Sequence, residues 1–265
     1  MTAAVLIPLT LALLFYASSA LFYLVTALVM LAAAWEWSRL MELKKISQQA
    51  VYILSVAVLL GLTWYFTDRA LVVFGIFFLS FLWWVKAYVL VVAYPRWSQL
   101  WSKGRFRRAI MGWFVLVPSW LALNFIRNFA EGPQLLLYLF ILIWSADTAA
   151  YFAGRAWGKH LLAPRVSPKK SWEGLLAALV STIIISMSAM LMAKNPAPLM
   201  VAGVVLALVT ILFSVVGDLT ESMMKRQAGV KDSSGLLPGH GGLLDRIDSI
   251  TAAAPIFALG LLVIR

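Results

Sequence analysis

Apolar runs fill almost the whole chain and are broken only by short polar loops. Those at 51–66, 71–94, 109–126, 134–154, 174–192, 199–217 and 249–264 each have about the length of a membrane-crossing helix. Residues 1–36 are almost uncharged and too long for one ordinary span. They read as two short helices, Thr2–Tyr16 and 20–36, hinged near Ser18 and Ser19. The pattern predicts an all-α fold: a polytopic membrane helical bundle of about nine transmembrane helices, the first two short. It forms a single membrane-embedded domain over 1–265, with N-terminal and middle helices in 1–130 and the candidate chemistry in 134–265. No Lys or Arg precedes the first run, which argues against a cleaved secretory leader.

The loops carry the orientation signal. Of 22 Lys and Arg, 17 fall in four places, 39–45, 96–108, 155–170 and 225–246. These alternate with sparsely charged loops at Asp68 and Arg69, at 127–131 and at Lys194, so the basic set is expected in the cytosol. The net charge of +11 then reads as attraction to anionic headgroups, with no nucleic-acid partner. The segment 94–108 interleaves aromatics with bases after a proline; it reads as an orientation signal with a tryptophan belt, or as an interfacial segment for lipid phosphate. Cysteine is absent, which excludes a disulfide framework, a thiolate nucleophile and a zinc–cysteine site.

One polar stretch, 217–249, breaks the apolar pattern between two runs. It holds five of the 11 acidic residues, Asp218, Glu221, Asp232, Asp245 and Asp248, beside Lys225, Arg226, Lys231, Arg246 and His240. Charges of both signs at a membrane are costly and mark a functional-site hypothesis. If the run at 199–217 continues as helix, Asp218, Glu221, Ser222 and Lys225 share one face, and Asp245 and Asp248 share a face of the next helix. Asp218, Asp245 and Asp248 can then converge on a hard cation, which takes oxygen ligands. Gly239, Gly241 and Gly242 free the turn for positive φ, so that backbone N–H groups can point at an anion. The alternative is a basic loop whose acids merely pair with its bases.

A second informative stretch is 145–174. Asp147 lies inside an apolar run, where it is either a hydrogen-bonded structural residue or part of a site. The element Ser167-Pro168-Lys169-Lys170-Ser171-Trp172-Glu173-Gly174 places Ser171 as a helix cap and Glu173 in the first turn. The same hydroxyls, two lysines and helix N-terminus also suit a phosphate. His160, in the basic loop, reads as incidental. No Ser-His-Asp spacing, no GxxxxGK[ST] loop and no GxGxxG after a strand stands out, so nothing supports a covalent nucleophile.

The run from Ser222 to Asp248, with Met224-Lys225-Arg226, Lys231-Asp232 and Leu237-Pro238-x-His240-Gly241-Gly242-Leu243-x-Asp245-Arg246-Ile247-Asp248, resembles the signature of phosphatidate cytidylyltransferases, the CDP-diacylglycerol synthases. It departs at 231–235: family members often read Lys-Asp-Ser-Gly-Asn where this chain has Lys-Asp-Ser-Ser-Gly, so a slightly altered loop is expected. The Ser-Pro-Lys-Lys-Ser element is likewise similar to one the family carries. The resemblance implies a membrane enzyme in which phosphatidate attacks the α-phosphorus of CTP, giving CDP-diacylglycerol and pyrophosphate. It implies Mg²⁺ on Asp218, Asp245 and Asp248, with a second cation beside it as an option. Phosphates would be neutralised by Lys225, Arg226, Lys231 and Arg246, with His240 as a donor. The substrates would meet Asp147, Ser167, Lys169, Lys170, Ser171, Ser222, Gly239, Gly241 and Gly242. It further implies a homodimer in a bacterial inner membrane, active on the cytosolic side. Two other readings remain: a CTP-using lipid-alcohol kinase, and a cation transporter lined by Asp147, Asp218 and Asp245.

Overall fold

The computed structural model describes residues 2–237, 239 and 241–264. The apolar runs are helices, in the order α1 (Thr2–Tyr16), α2 (Ser19–Leu40), α3 (Ile46–Tyr65) and α4 (Ala70–Val92), then one short turn α5 (Gln99–Ser102). There follow α6 (Arg105–Arg127), α7 (Gly132–Trp157), α8 (Trp172–Met192), α9 (Ala197–Gln227) and α10 (Leu244–Ile264). Among the described residues, eight of these helices are long and apolar enough to cross a membrane. The fold is the expected helical membrane bundle.

The N-terminal pair is only half as predicted. The hinge falls at Ser18, which caps α2 by accepting from the Leu21 N–H at 3.3 Å. α1 is short, about 22 Å of helix, but α2 runs 22 residues to Leu40. It continues past the apolar run because Glu36, Trp37 and Ser38 are buried against other elements. The helices at the basic loops also start earlier than hydropathy suggests. α6 begins at Arg105, since Arg108 bonds Glu42 at 3.1 Å and the Leu40 carbonyl at 3.3 Å.

A feature that the hydrophobic pattern did not announce lies between α7 and α8. Strands β1 (Leu161–Ala163) and β2 (Ser167–Ser171) form an antiparallel hairpin with Leu161 opposite Ser171 and Ala163 opposite Ser167. Arg226 Nε, at the end of α9, donates to the Val166 carbonyl at 3.2 Å and ties the hairpin down.

α9 packs most closely on α10, and α7 on α8, while α6 is the most buried span and sits against α2, α3, α4 and α10. Leu54, Val58 and Leu62 of α3 face outward, as expected of a lipid-facing stripe. The bonds from Arg108 to Glu42, from Arg226 to Val166, and from Leu243 and Leu244 to Glu36 link all four basic loops at one end of the bundle.

Candidate active site

The site lies at that end and is built mainly by α9 and α10. At Gly217 their backbones come close, since a Cβ there would come within 2.6 Å of the Asp248 carbonyl. α9 does run on past 217, so Asp218, Glu221, Ser222 and Lys225 share a face as the spacing predicted. Asp245 falls in the first turn of α10, with Asp248 one turn on.

Two lysines divide the carboxylates. Lys170 Nζ lies 2.5 Å from Asp218 Oδ2, and Asp218 Oδ1 accepts from the Ser222 hydroxyl at 3.2 Å. Burial works against the Lys170 charge, but Asp218, with Asp147 and Asp248 beyond it, outweighs that and raises its pKa above the ordinary 10.5. Lys225 Nζ lies 2.5 Å from Asp245 Oδ1 and 3.2 Å from Glu221 Oε1. Asp245 Oδ2 also accepts from the N–H groups of Gly242 at 2.7 Å and Ser233 at 3.0 Å, with the Ser233 hydroxyl 3.1 Å away. Asp248 Oδ1 accepts from the Ser249 N–H at 2.7 Å.

Asp147, Asp218, Asp248, Glu221 and Asp245 form a chain of electrostatic neighbours. In this chain of neighbours five acidic groups face two lysines, a surplus of three acidic groups. Among the described residues both oxygens of Glu221 are buried without a hydrogen bond, with Oε1 3.2 Å from Lys225 Nζ. A void of about 10 Å³, the size of one water, lies beside Glu221 and Asp248, walled mostly by apolar groups of Trp37, Trp84, Val115 and Leu244. Crowded carboxylate oxygens, with Glu221 buried and short of hydrogen-bond donors, fit a hard divalent cation. Among the described residues no three carboxylates already close on one point, because the lysines hold them apart.

Beside this cluster a cavity of about 310 Å³ opens between α7, β2, α8 and α9. Ala146, Leu175, Ala178 and Val215 give it apolar walls, and Asp147, Ser167, Lys169, Lys170 and Asp218 line its polar part. This is the volume of a small-molecule site, apolar with a few convergent charges. Ser171 caps α8 by accepting from the Gly174 N–H at 3.1 Å, and it too lines the cavity, so both readings of the Ser-Pro-Lys-Lys-Ser element meet at one place.

The glycine turn differs in part from expectation. Gly239 and Gly241 have φ of 74° and 79°, the left-handed region that glycine tolerates. Gly242 does not; there a side chain would collide with Ser233 Oγ and the Glu36 carboxylate. Its N–H is turned to Asp245, and those of Leu243 and Leu244 to Glu36, not outward. Of the remaining predicted residues, Lys231 and Arg246 are exposed and Arg226 is exposed apart from its bond to Val166, while His240 lies outside the described residues. His160, read as incidental, pairs with Glu173 at 2.7 Å away from the cluster.

Sequence reasoning missed Glu36, Ser233 and Ser234, and it placed Glu221 on the right face without a role. The one signal for Glu36 was that it is the only charge in the first 38 residues. All these charges gather at one end of the bundle, whereas a transport pathway tends to carry them near the midplane.

Comparison with known proteins agrees with this geometry. A phosphatidate cytidylyltransferase of Pseudomonas aeruginosa is 42% identical over 97% of this chain and 93% of its own length. One of Haemophilus influenzae is 38% identical over 97% of this chain and 96% of its own. One of Brucella suis is 44% identical over 60% of this chain and 58% of its own. The cytidylyltransferase family model matches residues 1–264. With a family match that spans both the helical bundle and the carboxylate–lysine cluster at its end, this chain belongs to the cytidylyltransferase family.

Proposed function

We propose that this chain is a phosphatidate cytidylyltransferase, transferring CMP from CTP to phosphatidate with release of pyrophosphate. The observation that carries the reading is the cluster of carboxylates and lysines at one end of the bundle, beside an apolar-walled cavity lined by Lys169 and Lys170. A lipid headgroup and a water-borne nucleotide can meet there, and the relatives that align along nearly the whole chain carry this name.

The chemistry follows from charge. A phosphate oxygen of phosphatidate attacks the α-phosphorus of CTP, a new P–O–P linkage forms, and the bond to the β-phosphate breaks as pyrophosphate leaves. The attacking phosphate is already ionised, so no general base is needed; the barrier lies in bringing anions together. Lys169, Lys170 and Ser167 suit the phosphatidate phosphate at the cavity, with Ser171 and the α8 N-terminus behind them. Lys225, Arg226, Lys231 and Arg246 suit the triphosphate. Mg²⁺ would be held by Asp218, Asp248 and Asp245, the last exchanging its contact with Lys225, and when bound it neutralises charge on the transferring phosphates. Each lysine now paired with a carboxylate has a competing anion once a phosphate arrives.

The reading places the basic end in the cytosol of a bacterial inner membrane, supported by the alternation of basic loops. It includes the homodimer implied by the resemblance, which the mass of the purified protein in detergent measures. The function is tested by supplying CTP labelled at the α- or the γ-phosphate, with phosphatidate and Mg²⁺. Label from the α-position should enter the lipid and label from the γ-position should leave in pyrophosphate. Entry of the γ-label into lipid would instead identify a kinase.

A further inference from the structure

We infer that Glu36 of α2 is the positioning residue of the nucleotide-binding loop, clamping the ends of 233–244 so that the triphosphate meets a preset surface. This rests on the reading above that the 231–246 segment handles CTP. Glu36 is fully buried, which a carboxylate tolerates only when its charge is met. Oε1 accepts from the Ser234 hydroxyl at 2.5 Å and the Leu243 N–H at 2.9 Å; Oε2 accepts from the Ser233 hydroxyl at 2.9 Å and the Leu244 N–H at 2.6 Å. Leu243 and Leu244 lie at the α10 N-terminus, where N–H groups lack helical partners and the dipole favours an anion. One carboxylate thus caps α10 from another helix and joins the start of the loop to its end.

The clamp is continuous with the charge cluster. The Ser233 hydroxyl lies between Glu36 and Asp245, and Asp245 in turn holds Lys225. Gly242 passes so close that a Cβ would meet both Glu36 oxygens at 2.7 Å. What Glu36 holds is the loop rather than the bundle, because α10 is packed chiefly by α9, α6 and α4. A defect at Glu36 should therefore appear in the order of the loop and in nucleotide use, with the helices intact.

Glu36→Gln tests this with no change of shape. Each carboxylate oxygen takes one hydroxyl and one backbone N–H, so the amide NH₂ faces a backbone N–H whichever way it is turned. The chain has no cysteine, so single spin labels can be placed at Leu236→Cys, in the loop and 49% exposed, and at Leu54→Cys, on the outer face of α3 and 63% exposed. Without substrates, Glu36→Gln should mobilise the loop label and leave the α3 label unchanged. With substrates, KM for CTP should rise about tenfold or more, while KM for phosphatidate stays within about twofold. Ser234→Ala removes one of the four bonds together with the Leu236 N–H bond to the same hydroxyl, so its decisive readout is the KM split, which should move the same way by less; this covers poor yield of the Gln variant. An unmoved loop label, equal changes in both KM values, or reduced folded yield with unchanged constants would each overturn the proposal. A wild-type protein whose loop is ordered through Glu36 but which transfers no CMP would overturn the nucleotide role and the functional reading, leaving the clamp as fold alone.

Discussion

Lys225 and Asp245 form one ion pair, yet removing one partner should not equal removing the other. The side chains of Lys225, Asp245 and Glu221 are 11%, 9% and 3% exposed, so the three sit in the buried regime, where an uncompensated charge costs about 3–5 kcal/mol. With all three ionised, the trio carries one net negative charge. Asp245→Asn leaves the Lys225–Glu221 pair at 3.2 Å; with its amide oxygen kept on Ser233 and Gly242, its NH₂ takes the place of Oδ1 beside Lys225, which is then held by Glu221. Its loss is close to that of a charged hydrogen bond, about 2 kcal/mol. Lys225→Met keeps the aliphatic stem but leaves Glu221 and Asp245 as two neighbouring anions with no cation between them, at the full cost of about 3–5 kcal/mol. Thermal unfolding in nanodiscs, followed by tryptophan fluorescence, should therefore give a midpoint about 5 °C lower for Lys225→Met than for Asp245→Asn. Adding Glu221→Gln to Lys225→Met should recover part of the loss, since one of the two anions is gone. Asp245→Asn proving as damaging as Lys225→Met, or no recovery from Glu221→Gln, would refute the charge-balance argument.

Three further outcomes follow from the same cluster. Because Lys170 has a pKa raised above its ordinary value, the stability it contributes is present below that ordinary value and is lost only as pH rises through the raised one. The stability gap between the wild type and Lys170→Met should therefore stay constant from about pH 7 to 9, and a gap that changes in that window would show burial outweighing Asp218 and lowering the lysine's pKa. Mg²⁺ alone, without nucleotide, should raise the unfolding midpoint of the wild type by mass action and do so less for Asp248→Asn; equal shifts would place the cation elsewhere. Cysteines at Lys169 and Lys231 should resist impermeant thiol reagents added outside intact cells, and labelling of either would reverse the orientation.

The bundle was legible because burial in lipid demands long apolar helices, a period that survives in any one stretch of sequence. The α9 face was equally legible, since Asp218, Glu221, Ser222 and Lys225 follow helical spacing with no help from distant residues. Glu36 was not, because its partners at 233, 234, 243 and 244 are some two hundred positions away and nothing beside it in α2 announces them. The hairpin at 161–171 escaped for a different reason: β1 has three residues and β2 contains a proline and two lysines, which gives no alternation to read. Gly242 shows the limit of local turn chemistry. Glycine there makes room for a carboxylate from another helix and does not supply an unusual φ.

The proposed function puts CMP transfer on the carboxylates joining α9 to α10. Turnover of Asp218→Asn, Asp248→Asn and Asp232→Asn at saturating Mg²⁺, on protein shown to be folded, tests it most directly. Asp218 and Asp248 lie in the electrostatic chain, whereas Asp232 is exposed in the loop. Asp218→Asn and Asp248→Asn should each remove most of the activity, and their double variant should be little worse than either, because residues acting as a unit are not additive. Asp232→Asn should cost much less. Near-normal rates for Asp218→Asn or Asp248→Asn would contradict the claim and put the reaction elsewhere on the molecule.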